Sequence, residues 1–254
     1  MSTTSNLSAD SPAARPGERT NIEGKPMANA ILLCIPDEEF ALLRPHLQFV
    51  NLPHHRILHQ PKEKLEFAYF PNSGMVSLVM TTGDDESVEV GVVGNEGFMP
   101  IQVAAGLTRT PHLAVMQIGG DGFRMQVPVL QEVLPTVPKF QAALHRYGAI
   151  HSMQVAQTAG CNRLHGLEQR LCRWLLLTQD RVGSGLLRIT HDFLATMLGT
   201  DRPSVSLAAG ELQRREIIEY THGSVRILNR KKLETSACEC YGVIAQFNGE
   251  LAVK

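Results

Sequence analysis

The sequence predicts an α+β chain, and three observations on its 254 residues predict it. Short β-prone runs divided by Gly, Asn, Pro and Asp fill residues 52–125, the pattern of a small antiparallel barrel or jelly-roll-like sandwich. A long helical pattern begins at Pro138 and runs to about Gly160. Two short amphipathic helices joined by a tight turn, and then a hairpin, occupy residues 190–228.

Residues 1–28 are rich in Ser, Thr, Pro, Ala and Gly with few large apolar side chains, and are expected to form a disordered tail. A helical pattern follows from Asn29 to Leu47, with Pro36 and the acids Asp37, Glu38 and Glu39 marking a helix start at the positive end of its dipole. Strands are then expected at residues 56–59, 66–70, 74–81, 87–93, 112–118 and 122–125. Turn sequences separate them, including Pro71-Asn72-Ser73-Gly74, Thr82-Gly83-Asp84-Asp85, Gly94-Asn95-Glu96-Gly97 and Gly119-Gly120-Asp121-Gly122. In the long helix the larger apolar positions are Phe140, Leu144, Tyr147, Ile150, Met153 and Val155. That stripe fits either a two-fold seam with a second copy or packing on its own domain. Residues 163–181 form a further helix with the sole tryptophan, Trp174, as a packing anchor.

The stretch 190–214 carries the chemistry. Thr190 caps a first helix whose apolar positions are Phe193, Leu194, Met197 and Leu198, and Gly199 supplies the turn. Thr200 or Asp201 caps a second helix, with Pro203 in its first turn. Val205, Ala208, Ala209 and Leu212 recur at i, i+3, i+4, i+7 and define a buried face. Opposite lie Arg202, Ser206, Gln213 and either Ser204 or Arg214, small or basic groups suited to a DNA groove. Residues 217–228 around Thr221-His222-Gly223 form a hairpin, the wing of a winged helix-turn-helix. An αα-hairpin inside an unrelated helical domain has no reason to be followed by a wing.

Charge divides the chain in the same sense. Residues 31–138 hold 6 basic and 12 acidic side chains, whereas residues 161–232 hold 12 basic and 7 acidic. An acidic half joined to a basic one suits a protein that meets nucleic acid with one half only. Hydrophobic content of 43% and charged content of 19% describe an ordinary folded chain. No apolar run reaches the roughly 18 residues of a membrane span, and no secretion signal opens the chain, so no membrane partner is expected. Five dispersed cysteines suit reduced thiols in a cytoplasm.

A strand-rich N-terminal part, a long helix and a C-terminal winged helix-turn-helix together resemble the Crp/Fnr family of bacterial transcription regulators. The segments ITHDFLATMLGTDRPSVS, CNRLHGLEQRLCRWLLLTQDR and CECY carry the likeness. The resemblance implies a cyclic-nucleotide-binding-like β-roll over residues 29–137, a dimerisation helix over 138–160, a DNA-binding domain over 161–237 and a C-terminal tail over 238–254. It implies double-stranded DNA, a second copy of the chain and RNA polymerase as partners. The alternative is a ligand-sensing or protein-interaction module whose winged helix no longer binds DNA.

Carried over by position, the family's base-reading arginine falls on Arg202, which can pair bidentately with guanine. Thr200, Asp201, Ser204, Ser206, Gln213 and Arg214 complete the expected DNA-facing set on the motif, and His222, Gly223 and Arg226 complete it on the wing. Arg215 is expected beside the phosphate backbone. Pro203 and Leu207 stand where many members carry an acidic residue and a second arginine, so the site read should be the protein's own. For an effector, Glu96, Gly97, Arg109 and Thr110 lie near the nucleotide-binding positions of the family. Asn95 splits the Gly-Glu pair and Pro111 follows directly, so a different or lost ligand is favoured over a cyclic nucleotide and the cofactor stays open.

An iron–sulfur cluster needs about four grouped cysteines; only Cys34 lies near the start, so none is expected. Cys161 and His165 are four apart on one helix, and Cys238 and Cys240 are close together. A joint metal site is conceivable there, but core thiols and a surface histidine are favoured and no metal is expected. Redox sensing by the Cys238/Cys240 pair is likewise disfavoured. No phosphate loop, nucleophile elbow or His-Glu metal motif occurs, which disfavours an enzyme.

Overall fold

The computed structural model describes residues 14–83, 87–221 and 223–249. Helices α1 (Ala30–Cys34) and α2 (Asp37–Leu43) lead into strands β1 (Gln48–Leu52), β2 (Ile57–His59), β3 (Phe67–Pro71), β4 (Met75–Thr81), β5 (Ser87–Val93), β6 (Leu113–Ile118) and β7 (Gly120–Gln126). They form two antiparallel sheets, ordered β1-β7-β3 and β2-β6-β4-β5. Helices α3 (Val127–Val133), α4 (Pro138–Leu164) and α5 (Leu167–Val182) follow. Then come strand β8 (Leu186–Leu187), helices α6 (His191–Leu198) and α7 (Arg202–Arg214), strands β9 (Ile218–Thr221) and β10 (Ser224–Ile227), and helices α8 (Arg230–Ser236) and α9 (Cys240–Gly249). The last three strands make a sheet ordered β8-β10-β9. An N-terminal β-roll, a long helix and a C-terminal winged helix-turn-helix are therefore present.

The β-roll closes on aromatic rings. Phe70 packs against Phe98 at 5.8 Å and Phe140 at 5.9 Å between centroids, and Phe98 meets Tyr147 at 5.8 Å. Offset rings at such spacing gain about 0.5–1.5 kcal/mol per pair beyond their burial. Phe140, Leu144, Tyr147 and Ile150 of α4 thus belong to the core of the β-roll. This corrects the dimer-seam option for those four residues: that face of the helix is already covered. Its outer face exposes Ala142, Ala149, Met153 and Ala156 instead, at alternating heptad intervals.

Three boundaries differ from the sequence reading. Residues 14–28 are not a loose tail. Arg19 is buried and donates to the carbonyls of Leu32 and Ile35 and to Asp37 Oδ1, each at 2.7 Å, while Met27 is fully enclosed. One guanidinium thereby satisfies carbonyls freed at the end of α1, which composition cannot show. Residues 1–13, also read as tail, lie outside the described residues. The helix expected over 163–181 starts later, because α4 runs on to Leu164 and the chain breaks at His165-Gly166 before α5. Residues 238–249, read as a C-terminal tail, include α9, which seats Ile244 and Cys240 against α4 and α5; residues 250–254 are outside the described set. Strand β1 lacked a turn signal before it and was missed.

The two halves meet through buried polar groups. Glu89, on β5, accepts Trp174 Nε1–H at 2.8 Å and Ser77 Oγ–H at 2.5 Å. Three residues beyond the end of β5, Glu96 pairs with Arg181 Nε at 2.8 Å, and both side chains are nearly enclosed. The apolar layer around them joins Met75, Val79 and Val92 of the β-roll to Leu171, Trp174, Leu175 and Leu194. The tryptophan is the anchor expected, with an added polar task.

Burial pushes the Glu89 carboxyl up from 4.5 to about 7, against the lowering by its two hydrogen bonds. The folded chain therefore keeps a proton that the unfolded chain releases between those values, so folding stability falls as pH rises through that window. Glu89→Gln can accept from Trp174 and donate to Ser77 without any proton to lose. Denaturant unfolding at pH 5 and pH 8 is expected to show a pH-dependent loss in the wild type, up to about 3 kcal/mol, that the Gln variant lacks.

Candidate nucleic-acid interface

Local capping builds the two motif helices as the sequence implies. Thr190 Oγ1 accepts from Phe193 N at 3.2 Å to start α6. Gly199 ends it at φ +58, and a Cβ there would also press on Val88 Cγ2 at 3.2 Å. Glycine fits both demands. Asp201, and not Thr200, caps α7: Oδ1 accepts Ser204 N at 2.8 Å and Oδ2 accepts Ser204 Oγ–H at 2.9 Å. Those two bonds hold the exposed Asp201 carboxyl below its ordinary range.

Helix α7 buries Val205, Ala209 and Leu212 against α5 and α6, with Ala208 half-covered. Arg202 does not lie opposite that face as expected: it precedes Val205 by three residues on the same stripe, but in the first turn, where its side chain is 65% exposed and 3.6 Å from Asp192 Oδ1 across the motif. A pair so long and wet is worth well under about 1 kcal/mol, so the guanidinium is free to take another partner. Leu207 is 76% exposed on the same helix. Arg214 pairs with Glu211. On the wing, Arg226 Nε lies 3.5 Å from Glu219 Oε2, and Gly223 turns the hairpin at φ +81. His222 lies outside the described residues.

Several expected contact residues serve the scaffold. Gln213 Oε1 accepts Tyr220 N at 2.9 Å and ties α7 to β9. Ser206 Oγ sits 2.9 Å from His191 Nδ1, and the His191 ring stacks on Tyr220 at 3.8 Å. Burial, aided by Arg202, lowers the His191 pKa, so the ring is neutral near pH 7. Arg215, placed at the DNA backbone by sequence, instead bonds Glu168 at 2.6 Å and Ser236 at 2.7 Å. His191 and Tyr220 were not singled out in the sequence, because they meet only when the wing folds back on α6.

The expected effector residues are committed elsewhere. Glu96, 15% exposed in its side chain, is held by Arg181. A Cβ on Gly97 would lie 1.9 Å from Tyr147 Cζ, so this glycine admits a ring and not a ligand. Arg109 donates to the Lys62 carbonyl at 2.5 Å, and Thr110 Oγ1 lies 2.9 Å from His112 Nδ1. A cleft of about 810 Å³ does open between the β4–β5 hairpin and the motif turn. Ser87, Val88, Arg170, Gly199, Thr200 and Asp201 are among its walls. Separately, Cys161, His165, Cys238 and Cys240 converge at the α4–α5 joint, which the sequence reading had disfavoured as a joint site.

Residues 169–236 match the Crp-like helix-turn-helix domain family. Solved structures with this fold include FixK2 from Bradyrhizobium japonicum, at 14% identity and TM-score 0.64, covering 76% of this chain and 98% of that one. Another is CLP, the c-di-GMP-responsive global regulator of Xanthomonas campestris, at 16% identity and TM-score 0.61, covering 75% and 97%. A third is a CRP-family transcriptional regulator from Thermus thermophilus, at 19% identity and TM-score 0.60, covering 74% and 96%. A search of curated proteins returns no sequence match. Among the described residues no helix is long and apolar enough to cross a membrane.

The orientation of α7 has a simple check. Leu212→Ala empties a fully buried site and is expected to lower stability by about 2–5 kcal/mol. Leu207→Ala, on the exposed side, should stay within about 0.5 kcal/mol of wild type. A larger loss from Leu207→Ala than from Leu212→Ala in thermal or denaturant unfolding would mean that α7 faces the other way.

Proposed function

Since residues 169–236 form a Crp-like helix-turn-helix domain in a chain with the fold of the Crp/Fnr regulators, we propose that this protein is a dimeric, sequence-specific DNA-binding transcription regulator. The observation that carries the reading is Arg202. It stands in the first turn of α7, exposed and weakly paired, at the solvent-facing N-terminal end of the stripe that Val205, Ala209 and Leu212 carry into the core. An arginine so placed can enter a major groove and pair with guanine O6 and N7. Ser204 and Thr200 flank it, and Arg226 on the wing and Arg214 at the helix end suit phosphate. RNA polymerase is the further partner implied by this function.

Dimerisation falls to the outer face of α4. Ala142, Ala149, Met153 and Ala156 face outward at heptad intervals, and Met153 is 48% exposed. Small residues of that kind let two helices approach closely, and a two-fold axis there would present two α7 helices about 34 Å apart. A signal at the β-roll has a direct route to them. Helix α6 packs on β5, Val88 closes off the space beside Gly199, and Glu89 and Glu96 hold α5. A shift in the β-roll would thus alter the populations of DNA-competent and incompetent arrangements.

A gel shift with the protein's own promoter region, titrated with salt, compares wild type with Arg202→Ala. The variant is expected to lose about 1–3 kcal/mol of discrimination against competitor DNA, while retaining its salt-dependent nonspecific binding. Equal binding of all DNA by both proteins, or none by either, overturns the proposal. Met153→Glu puts like charges together across the seam. Sedimentation should show a monomer, with weaker operator binding; an unchanged dimer would place the seam elsewhere.

A further inference from the structure

Three cysteines and a histidine from distant parts of the sequence meet at the joint where α5 leaves α4. Cys161 occupies the last turn of α4, and His165 is its C-cap, with its N–H on the Cys161 carbonyl at 3.1 Å. Cys238 lies on the short link from α8 to α9 and Cys240 opens α9, with Glu239 between them. The three cysteines are almost fully buried, in a cluster separate from both apolar cores. One Nδ1 and three Sγ atoms all lie within 4.8 Å of one another. Cys161 Sγ is 3.4 Å from Cys238 Sγ, and Cys240 Sγ is 3.5 Å from His165 Nδ1.

We propose that Cys161, His165, Cys238 and Cys240 form a tetrahedral site for a zinc-class divalent cation. Zinc bonds of about 2.3 Å to sulfur and about 2.0–2.1 Å to nitrogen place tetrahedral ligand atoms about 3.4–3.8 Å apart. The two closest contacts already have that spacing, and a small contraction brings in the rest. Three thiolates and an imidazole suit a borderline-soft metal, whereas magnesium or calcium would find no oxygen ligand.

The surroundings of the four residues support a metal over a thiol cluster packed for its own sake. His165 Nε2 lies 3.1 Å from Glu239 Oε1. With Nε2–H donating to that carboxylate, the Nδ1 lone pair turns inward, the orientation a ligating imidazole needs. Gln157 Nε2–H donates to Cys240 Sγ at 3.0 Å, a bond that favours thiolate. Arg173 and Arg170 lie close by, cations beside a site that would gather thiolate charge. Metal binding would release the thiol protons to solvent, with no electron transfer.

The consequence is mechanical. The bound ion would fasten the α8–α9 link to the end of α4 one residue before the chain breaks at Gly166. It would fix the angle at which α5, and the motif behind it, departs from α4. Such a fastening does not depend on DNA binding.

The test uses the full-length protein purified under reducing conditions without chelator, with metal content measured by mass spectrometry. About one zinc per chain is expected. Cobalt titration of the metal-stripped chain should give the thiolate-to-cobalt charge-transfer absorption and the visible bands of tetrahedral coordination. Cys240→Ser and His165→Ala should lose both, and Cys34→Ser and Cys172→Ser should keep both. Glu239→Gln leaves the four ligands in place, so a folded variant with about 10–100-fold weaker zinc binding is expected. Zinc affinity no tighter than that of a Cys161→Ser/Cys240→Ser chain overturns the proposal. So does a cobalt spectrum indifferent to Cys240, a Glu239→Gln chain that binds zinc as wild type does, or a Cys161–Cys238 disulfide in protein that takes up no metal.

Discussion

Two carboxylates buried across one boundary hold the helix-turn-helix half of the molecule in place. Glu89 gives its oxygens to Trp174 and Ser77, and Glu96 gives one to Arg181. Breaking a buried ion pair by removing one partner costs about 3–5 kcal/mol, because the survivor is left without water or a counter-charge. Sliding α5 along the β-roll would incur that cost at Glu96 and orphan an indole N–H at Glu89. The docking of α5 is therefore specified by chemistry, where apolar contact alone would tolerate slippage. Helices α6 and α7 inherit that placement through the apolar layer they share with Trp174, including its edge contact with Phe193 at 6.1 Å.

The same junction joins the β-roll directly to the helices that carry the motif. Glu96, on the turn that would face an effector in a nucleotide-binding relative, here points its charge at Arg181. Tyr147 fills the space over Gly97. His151, one turn further along α4, lies against Gly91 of β5, and burial brings its pKa to about 4, so it is neutral at ordinary pH. Of the polar groups between the halves, Glu89 and Glu96 meet matched donors, while the buried Tyr147 hydroxyl and His151 Nε2 find no hydrogen-bond partner among the described residues.

Much of this was legible in the residues. Helix α7 announced itself through the 3.6-residue spacing of Val205, Ala209 and Leu212, the Asp201 cap and Gly199, because each of those signals is local. The strands from β2 to β7 were marked by the Gly, Asn and Pro turns between them. What escaped was non-local. Arg19 orders residues 14–28 from 13 or more positions away from its acceptors. Gln213 and Ser206 looked like groove-facing groups, but their partners, Tyr220 and His191, come from other elements. On α4 the large apolar residues serve the β-roll and the small ones face outward, so the size of a side chain misdirected the choice of seam. The cysteine–histidine cluster was visible only as two pairs, because its halves stand 77 residues apart.

Reading of DNA by two copies of α7 is open to selection of the full-length protein against a pool of random duplex DNA. The expected product is a near-palindrome whose half-sites lie about 10–10.5 base pairs apart centre to centre, or a multiple of that, each containing a guanine for Arg202. A pool that emerges with no common sequence, or with a single unpaired half-site, would contradict it.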